Sequence, residues 1–200
     1  VRIEHLGYSI GSMELKKTQR DIRLLRMDYA MDPDDESTLY HLGLAYARIG
    51  NMAEGIKYLE ILEEKLAPNC GLRCRVIELL AGFFLSAGDV QRALAYLNQG
   101  LETFPDSAAL LYARAQARYE IDDYDGCLAD VIKIGRPKDH PDVEFGSMGD
   151  IREKWAPILH GDALRMNGSP QDSVRVLSEL LATRPDDIRV MYSLAMSLLE

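Results

Sequence analysis

The sequence predicts an all-α protein in which helical pairs stack side by side into an α-α superhelix behind a short non-helical arm. Three observations carry this reading. A glycine recurs at Gly50, Gly88 and Gly168, each after one helical apolar pattern and before another, and Asp122 fills the same slot once, at spacings of 38, 34 and 46 residues. Small residues recur ahead of those turns, at Gly43, Ala81, Ala115 and Gly161, with Ala195 in the last pattern. Prolines recur after the second pattern of each pair, at Pro68, Pro105, Pro141 and Pro185. One helical hairpin cannot bury its apolar stripe alone, whereas a stack of three or more can.

Each column has a physical reason. The small positions, together with Gly55, Ala93, Cys127 and Ser173 on the second helices, let paired helices approach toward the short end of the ~8–10 Å packing range. Gly50, Gly88 and Gly168 stand just past a helix end, where a left-handed residue closes the last turn. The prolines cannot continue a helix, and Asp34, Asp106 and Asp186 follow prolines closely enough to cap the next one. Pro157 is expected to begin or kink the helix that contains it. These columns resemble the tetratricopeptide repeat over about residues 36–200: repeats near 36–69, 74–107, 108–141 and 154–187, a half repeat at 188–200, and a linking helix at 13–31 in the place of a second repeat helix.

Composition sets the class of partner. The chain has 200 residues, 47% hydrophobic and 28% charged, which suits a folded soluble protein. Its net charge of −9 argues against a nucleic-acid binder or attraction to an anionic membrane, and no apolar run approaches the ~18 residues of a membrane span. Three cysteines do not suggest a secreted disulfide framework, so the expected compartment is reducing and cytoplasmic. A chain running from Val1 to Glu200, the latter inside a periodic segment, reads as part of a longer protein.

Residues 1–12 alternate like the end of a strand and are expected to form an extended arm. The run Ile3-Glu4-His5-Leu6-Gly7-Tyr8, then Lys17, Arg20-Asp21, Leu24-Leu25 and Asp32-Pro33-Asp34, resembles the junction between the catalytic domain and the repeats of bacterial family-2 glycosyltransferases. Asp21 departs from the asparagine usual after that arginine. The resemblance implies a parent that transfers a sugar from a nucleotide-sugar donor with a divalent metal. It also implies that His5 would help complete the parent's metal and diphosphate site. On residue chemistry alone, His5 could instead close a sheet edge or pack locally. For the 200 residues themselves, no catalysis and no cofactor are expected.

Other candidates read as structural. No H-E-x-x-H, phosphate loop or nucleophile elbow occurs. His41, His140 and His160 are widely separated, and Cys70 and Cys74, four apart, are too few for a structural zinc site. Lys16, Arg20, Arg23 and Arg26 interleave with Glu14, Asp21 and Asp28 as a solvated, ion-paired face. Asn167-Gly168-Ser169 matches a glycosylation acceptor, yet a helix-ending Asn-Gly accounts for it.

First helices of such pairs line the inner face, where a partner's segment would lie. Positions projecting there are Tyr40 and Leu44, Glu78 and Gly82, Tyr112, Gln116 and Tyr119, then Asp162 and Arg165. Tyrosines with a few polar groups suit a peptide surface, although Tyr112 and Tyr119 could also finish the core. The Lys and Asn set with which related proteins clamp a chaperone's carboxylate is missing from these helices. The expected role is therefore a protein- or peptide-binding module, either as the C-terminal part of a glycosyltransferase or as a non-enzymatic scaffold. The last helix carries Val190, Met191, Leu194 and Leu198, an apolar side that could dimerise.

Overall fold

The computed structural model describes residues 10–135 and 151–199. They fold as helices with no strand among them. Two compact units divide at Ala67–Pro68. His5, His140 and Pro141 lie outside the described residues.

Unit 1 holds α1 (Ile10–Met31), α2 (Glu36–Arg48) and α3 (Met52–Lys65). Residues 10–12, expected in the arm, already belong to α1. Asp35, rather than Asp34, caps α2: the Thr38 N–H donates to its carboxylate at 2.7 Å. That carboxyl is held below its usual range by the same bonds. Gly50 takes φ 79°, the Asn51 N–H reaches back to the Tyr46 carbonyl at 2.9 Å, and the Asn51 side chain starts α3. The hairpin closes tightly because Gly43 has no side chain. A Cβ there would stand 2.6 Å from Leu59, which is fully buried. Tyr46 stacks on Tyr58 at 5.7 Å, and Tyr29 of α1 meets Tyr58 edge-on at 5.4 Å.

Unit 2 holds α4 (Gly71–Ser86), α5 (Val90–Thr103), α6 (Ala108–Glu120) and α7 (Tyr124–Ile134). After them come a π-helical turn (Ile151–Trp155) that runs into α8 (Ala156–Met166), then α9 (Pro170–Thr183) and α10 (Ile188–Leu198). Pro157 sits in the first turn of α8, where its missing N–H is harmless. The three turns repeat the geometry of unit 1. Gly88, Asp122 and Gly168 take φ 77°, 62° and 79°. The next residue's N–H reaches the carbonyl five back at 2.9 Å in each, from Asp89 to Phe84, Asp123 to Arg118 and Ser169 to Leu164. Asp122 thus occupies a glycine's conformation, which aspartate tolerates. Helix starts are capped by Cys70 (its Sγ accepting from Arg73 N–H at 3.4 Å), Asp89, Ser107, Asp123 and Asp187. Ser107 and Asp187 stand one residue after the aspartates expected to cap, because each chain turns once more before entering the helix.

Packing runs through the small columns. Ala81, Ala93, Ala115 and Cys127 are fully buried among Leu80, Leu97, Leu110 and Leu111. Gly161 repeats the Gly43 contact, with a Cβ position 2.5 Å from Leu177. Ser173 fills the matching second-helix position and donates to the Gly161 carbonyl at 2.6 Å. It also meets Ser197 at 2.8 Å, and Ser197 donates to the Ser193 carbonyl at 2.9 Å. The expected apolar side of α10 is corrected at Val190, which is fully buried against Ile158 and Leu180. Its Cβ points inward at the start of α10, leaving Met191 and Leu198 outside.

A buried carboxylate fastens α6 to α7. Asp130 accepts from Arg114 Nε at 2.9 Å and Nη2 at 2.6 Å and from Arg118 Nη1 at 2.8 Å. Arg114 also donates to Asn98 on α5 at 2.9 Å. Substituting Asp130→Asn removes the counter-charge of partly buried Arg114 and leaves Arg118 with Asp123, at 3.4 Å. Urea unfolding should show a loss of about 3 kcal/mol, at the low end of the range for broken buried pairs because both arginines keep some solvent.

Two glycine substitutions test the packing directly. Gly161→Ala drives a methyl into Leu177, and should destabilise by about 1–3 kcal/mol in the same experiment. Gly82→Ala on α4 meets open space and should stabilise by about 0.4–1 kcal/mol through the unfolded chain.

Candidate functional site

The nine positions expected on an inner face fall on both units. In unit 1, Tyr40 is half-buried with its ring 5.6 Å from His41. Leu44 lines a cleft of about 330 Å³ between α1 and α2 together with Asp21, Asp28, His41 and Arg48. In unit 2, Glu78 is tied to Arg75 at 2.7 Å, and Gln116 is exposed. Tyr119 lies edge-on to Tyr124 at 5.5 Å. The Tyr124 hydroxyl bonds Asp122, and this pushes its phenol up to about 12. Arg165 lies close enough to Asp162 to oppose its charge.

Tyr112 and Asp162 come together. They line one groove of about 440 Å³ formed by α6, the π-helical turn, α8 and α10. Trp155, the chain's single tryptophan, forms one wall with Leu159, and Ile188 and Tyr192 form another. Asp162 and Ser193 supply polar groups to the lining and are hydrogen-bonded to each other.

The rim at the start of α10 is organised by charge. Lys154 bonds Asp187 at 2.8 Å, which holds the Asp187 carboxyl below its usual range while that carboxylate caps α10. Lys154 Nζ and Arg189 Cζ each lie 4.6 Å from the centre of the Trp155 ring, within cation–π range. The indole therefore lies against two cations of its own chain. Burial pushes the Tyr112 phenol up, and likewise keeps the His160 imidazole below its usual value.

Sequence reasoning missed Trp155, Arg189 and Tyr192. For Tyr192 the signal was present: Tyr40, Tyr112 and Tyr192 each stand three residues before a small-column position, Gly43, Ala115 and Ala195. Trp155 had no such signal, because it belongs to a turn of different helical pitch just before Pro157. Such π turns cluster at functional sites.

No metal centre emerges: among the described residues no group of three or more His, Cys, Asp or Glu side chains is placed to hold an ion. Cys127 is fully buried and its thiol is pushed up to about 12 by burial, so it is not a nucleophile. No described helix is long and apolar enough to cross a membrane.

With this geometry in view, comparison places the fold. Family models of the tetratricopeptide repeat match residues 37–68 and 75–117, and these segments are such repeats. A tetratricopeptide repeat protein from Parabacteroides merdae superposes with a TM-score of 0.73 at 19% identity, over 96% of this chain and 73% of that one. MamA superposes with a TM-score of 0.68 at 17% identity, over 90% and 97%. YrrB, described as a TPR protein with an unusual peptide-binding site, gives 0.67 at 11% identity, over 90% and 85%. No curated protein matches the chain. The fold is thus the all-α tetratricopeptide-repeat type, and nothing in these matches supports the glycosyltransferase resemblance.

Asp162 gives the groove a measurable property. Burial raises its carboxyl above the usual range, more than Ser193 and Arg165 lower it. A carboxyl that holds its proton more tightly when folded adds stability that is complete below its unfolded value of about 3.8 and is lost as pH rises through the folded value. At neutral pH the ionised group therefore weighs against folding. Asp162→Asn should leave unit 2 as stable as the wild type or more so at pH 7. The difference, read by urea unfolding, should shrink as the pH is lowered toward 4.

Proposed function

We propose that the chain is a protein-interaction module whose unit 2 receives an extended segment of a partner protein in the groove between Tyr112, Trp155 and Tyr192. One observation carries this reading: three aromatic rings from three successive inner-face elements converge on a single, mostly apolar trough with few polar groups. That is the composition of a peptide-binding surface. Tyr192 is 67% exposed, an uncovered aromatic that the fold itself does not require. The tetratricopeptide-repeat fold supports the same role, since its inner face commonly holds such segments. Cys70, Cys74 and Cys127, none of them in a disulfide, support a reducing compartment such as the cytoplasm.

Trp155 makes the test direct, because no other tryptophan contributes to the emission. Peptides selected from a random display library on the intact chain should shift that emission on titration. Tyr192→Ala, at an exposed position, should weaken them about 10- to 30-fold without lowering the melting temperature. Selected peptides that bind without moving the emission and without sensing Tyr192→Ala would place binding elsewhere and defeat the proposal.

A scaffold with no enzymatic parent and the C-terminal module of a glycosyltransferase make the same use of this groove. The second rests on residues 3–34 alone, and carries with it the nucleotide-sugar, the divalent metal and the role of His5. Sequencing upstream of Val1 decides it, and the groove reading stands apart from that outcome.

A further inference from the structure

We propose that the groove reads a positively charged side chain, lysine or arginine, on the partner's segment, with the Asp162 carboxylate as its counter-ion. This rests on the peptide-binding reading above and specifies its ligand. The argument begins with what surrounds Asp162. Its hydrogen-bond partner is Ser193, and Arg165 acts on it only as a nearby charge. Among the described residues no cation stands within ion-pair distance of it. The carboxylate thus faces a groove walled by Tyr112, Trp155, Leu159 and Tyr192, still partly reached by water.

Any segment laid into the trough removes that water, and the consequence depends on the side chain it brings. An apolar side chain leaves a desolvated carboxylate with one hydroxyl for company, which is unfavourable. An acidic side chain adds repulsion in the same low-dielectric space. A lysine or arginine supplies the missing counter-charge and converts the penalty into a charge-assisted hydrogen bond. The walls suit the same guest. Trp155 already carries an ammonium and a guanidinium, each 4.6 Å from its ring centre, so cations are at home on this surface, and Tyr112 and Tyr192 offer further π faces. Arg189 is spent on Trp155 at the exposed rim, and its charge is screened by solvent. At longer range, the net charge of −9 favours approach of basic segments.

The test uses three pools of acetylated, amidated nonapeptides with flanks drawn from Ala, Leu and Ser and a central Lys, Leu or Glu. Each is titrated against the intact chain with Trp155 emission as readout. The Lys pool should bind about 10-fold or more tighter than the other two, the worth of one hydrogen bond to a charged group. Asp162→Asn should bring the Lys and Leu pools within about 2-fold of each other while retaining the Leu pool, which shows the groove intact. A Lys preference that survives Asp162→Asn, or a Glu pool that binds best, overturns the proposal and in the latter case makes Arg189 the reader. Equal binding of the Lys and Leu pools removes the cation reading and leaves peptide binding standing. Silence from all three pools removes both.

Discussion

The structure depends on how closely two helices of a hairpin can approach. In each unit the same device appears at full strength: a glycine on the first helix faces a leucine on the second, at Gly43 with Leu59 and at Gly161 with Leu177. A methyl group in either place would lie at 2.5–2.6 Å from that leucine, a separation that real contacts do not allow. Elsewhere alanine suffices, at Ala81 and Ala115, both fully buried. Because the backbones sit close, the leucines are sealed: Leu59 and Leu177 are both fully buried. The left-handed turns at Gly50, Gly88, Asp122 and Gly168 set the angle at which that approach begins.

Polar groups inside this packing are almost all answered from within. Asp130 has two arginines, and the Ser173 and Ser197 hydroxyls meet each other and donate to the Gly161 and Ser193 carbonyls. Asp162 departs from that pattern. It is a half-buried acid that faces an open trough and holds its proton more firmly than an exposed one. Natural sequences tend to keep such local conflicts where a site needs them. The contrast between Asp130 and Asp162, two aspartates of one unit, separates a carboxylate that builds the fold from one left facing the trough.

Much of the architecture was legible because it rests on residues with a restricted menu. Glycine at a left-handed turn and small residues at a tight crossing have few substitutes, so their recurrence exposes the repeat. Asp122 was readable in the glycine slot for the same reason, as one of the few side chains that adopt φ 62°. Caps were less legible. Ser107 and Asp187 do the work that adjacent aspartates, Asp106 and Asp186, seemed equally fit to do, and only the course of the turn distinguishes neighbours. The groove was half legible. Tyr112 and Asp162 follow from helical spacing, whereas Trp155 is brought in by a π turn whose register no 3.6-residue period reveals. Val190 was expected on one apolar side with Met191, Leu194 and Leu198, and its burial against Ile158 and Leu180 is a tertiary fact.

The way α10 is attached has its own consequence. Val190 anchors it against Ile158 and Leu180, Leu194 and Met196 are partly buried, Ser197 meets Ser173 of α9, and Asp187 pairs with Lys154. The polar share of that hold consists of a hydroxyl pair and a partly exposed ion pair, and such pairs restrain a helix less than a leucine core does. Ile188, Arg189, Tyr192 and Ser193 all belong to it, so four of the nine residues lining the groove share one short helix. An occupant bridging α8 and α10 would slow amide exchange along the whole of α10, not only at the atoms it touches. Its measured affinity would include the work of holding that helix down.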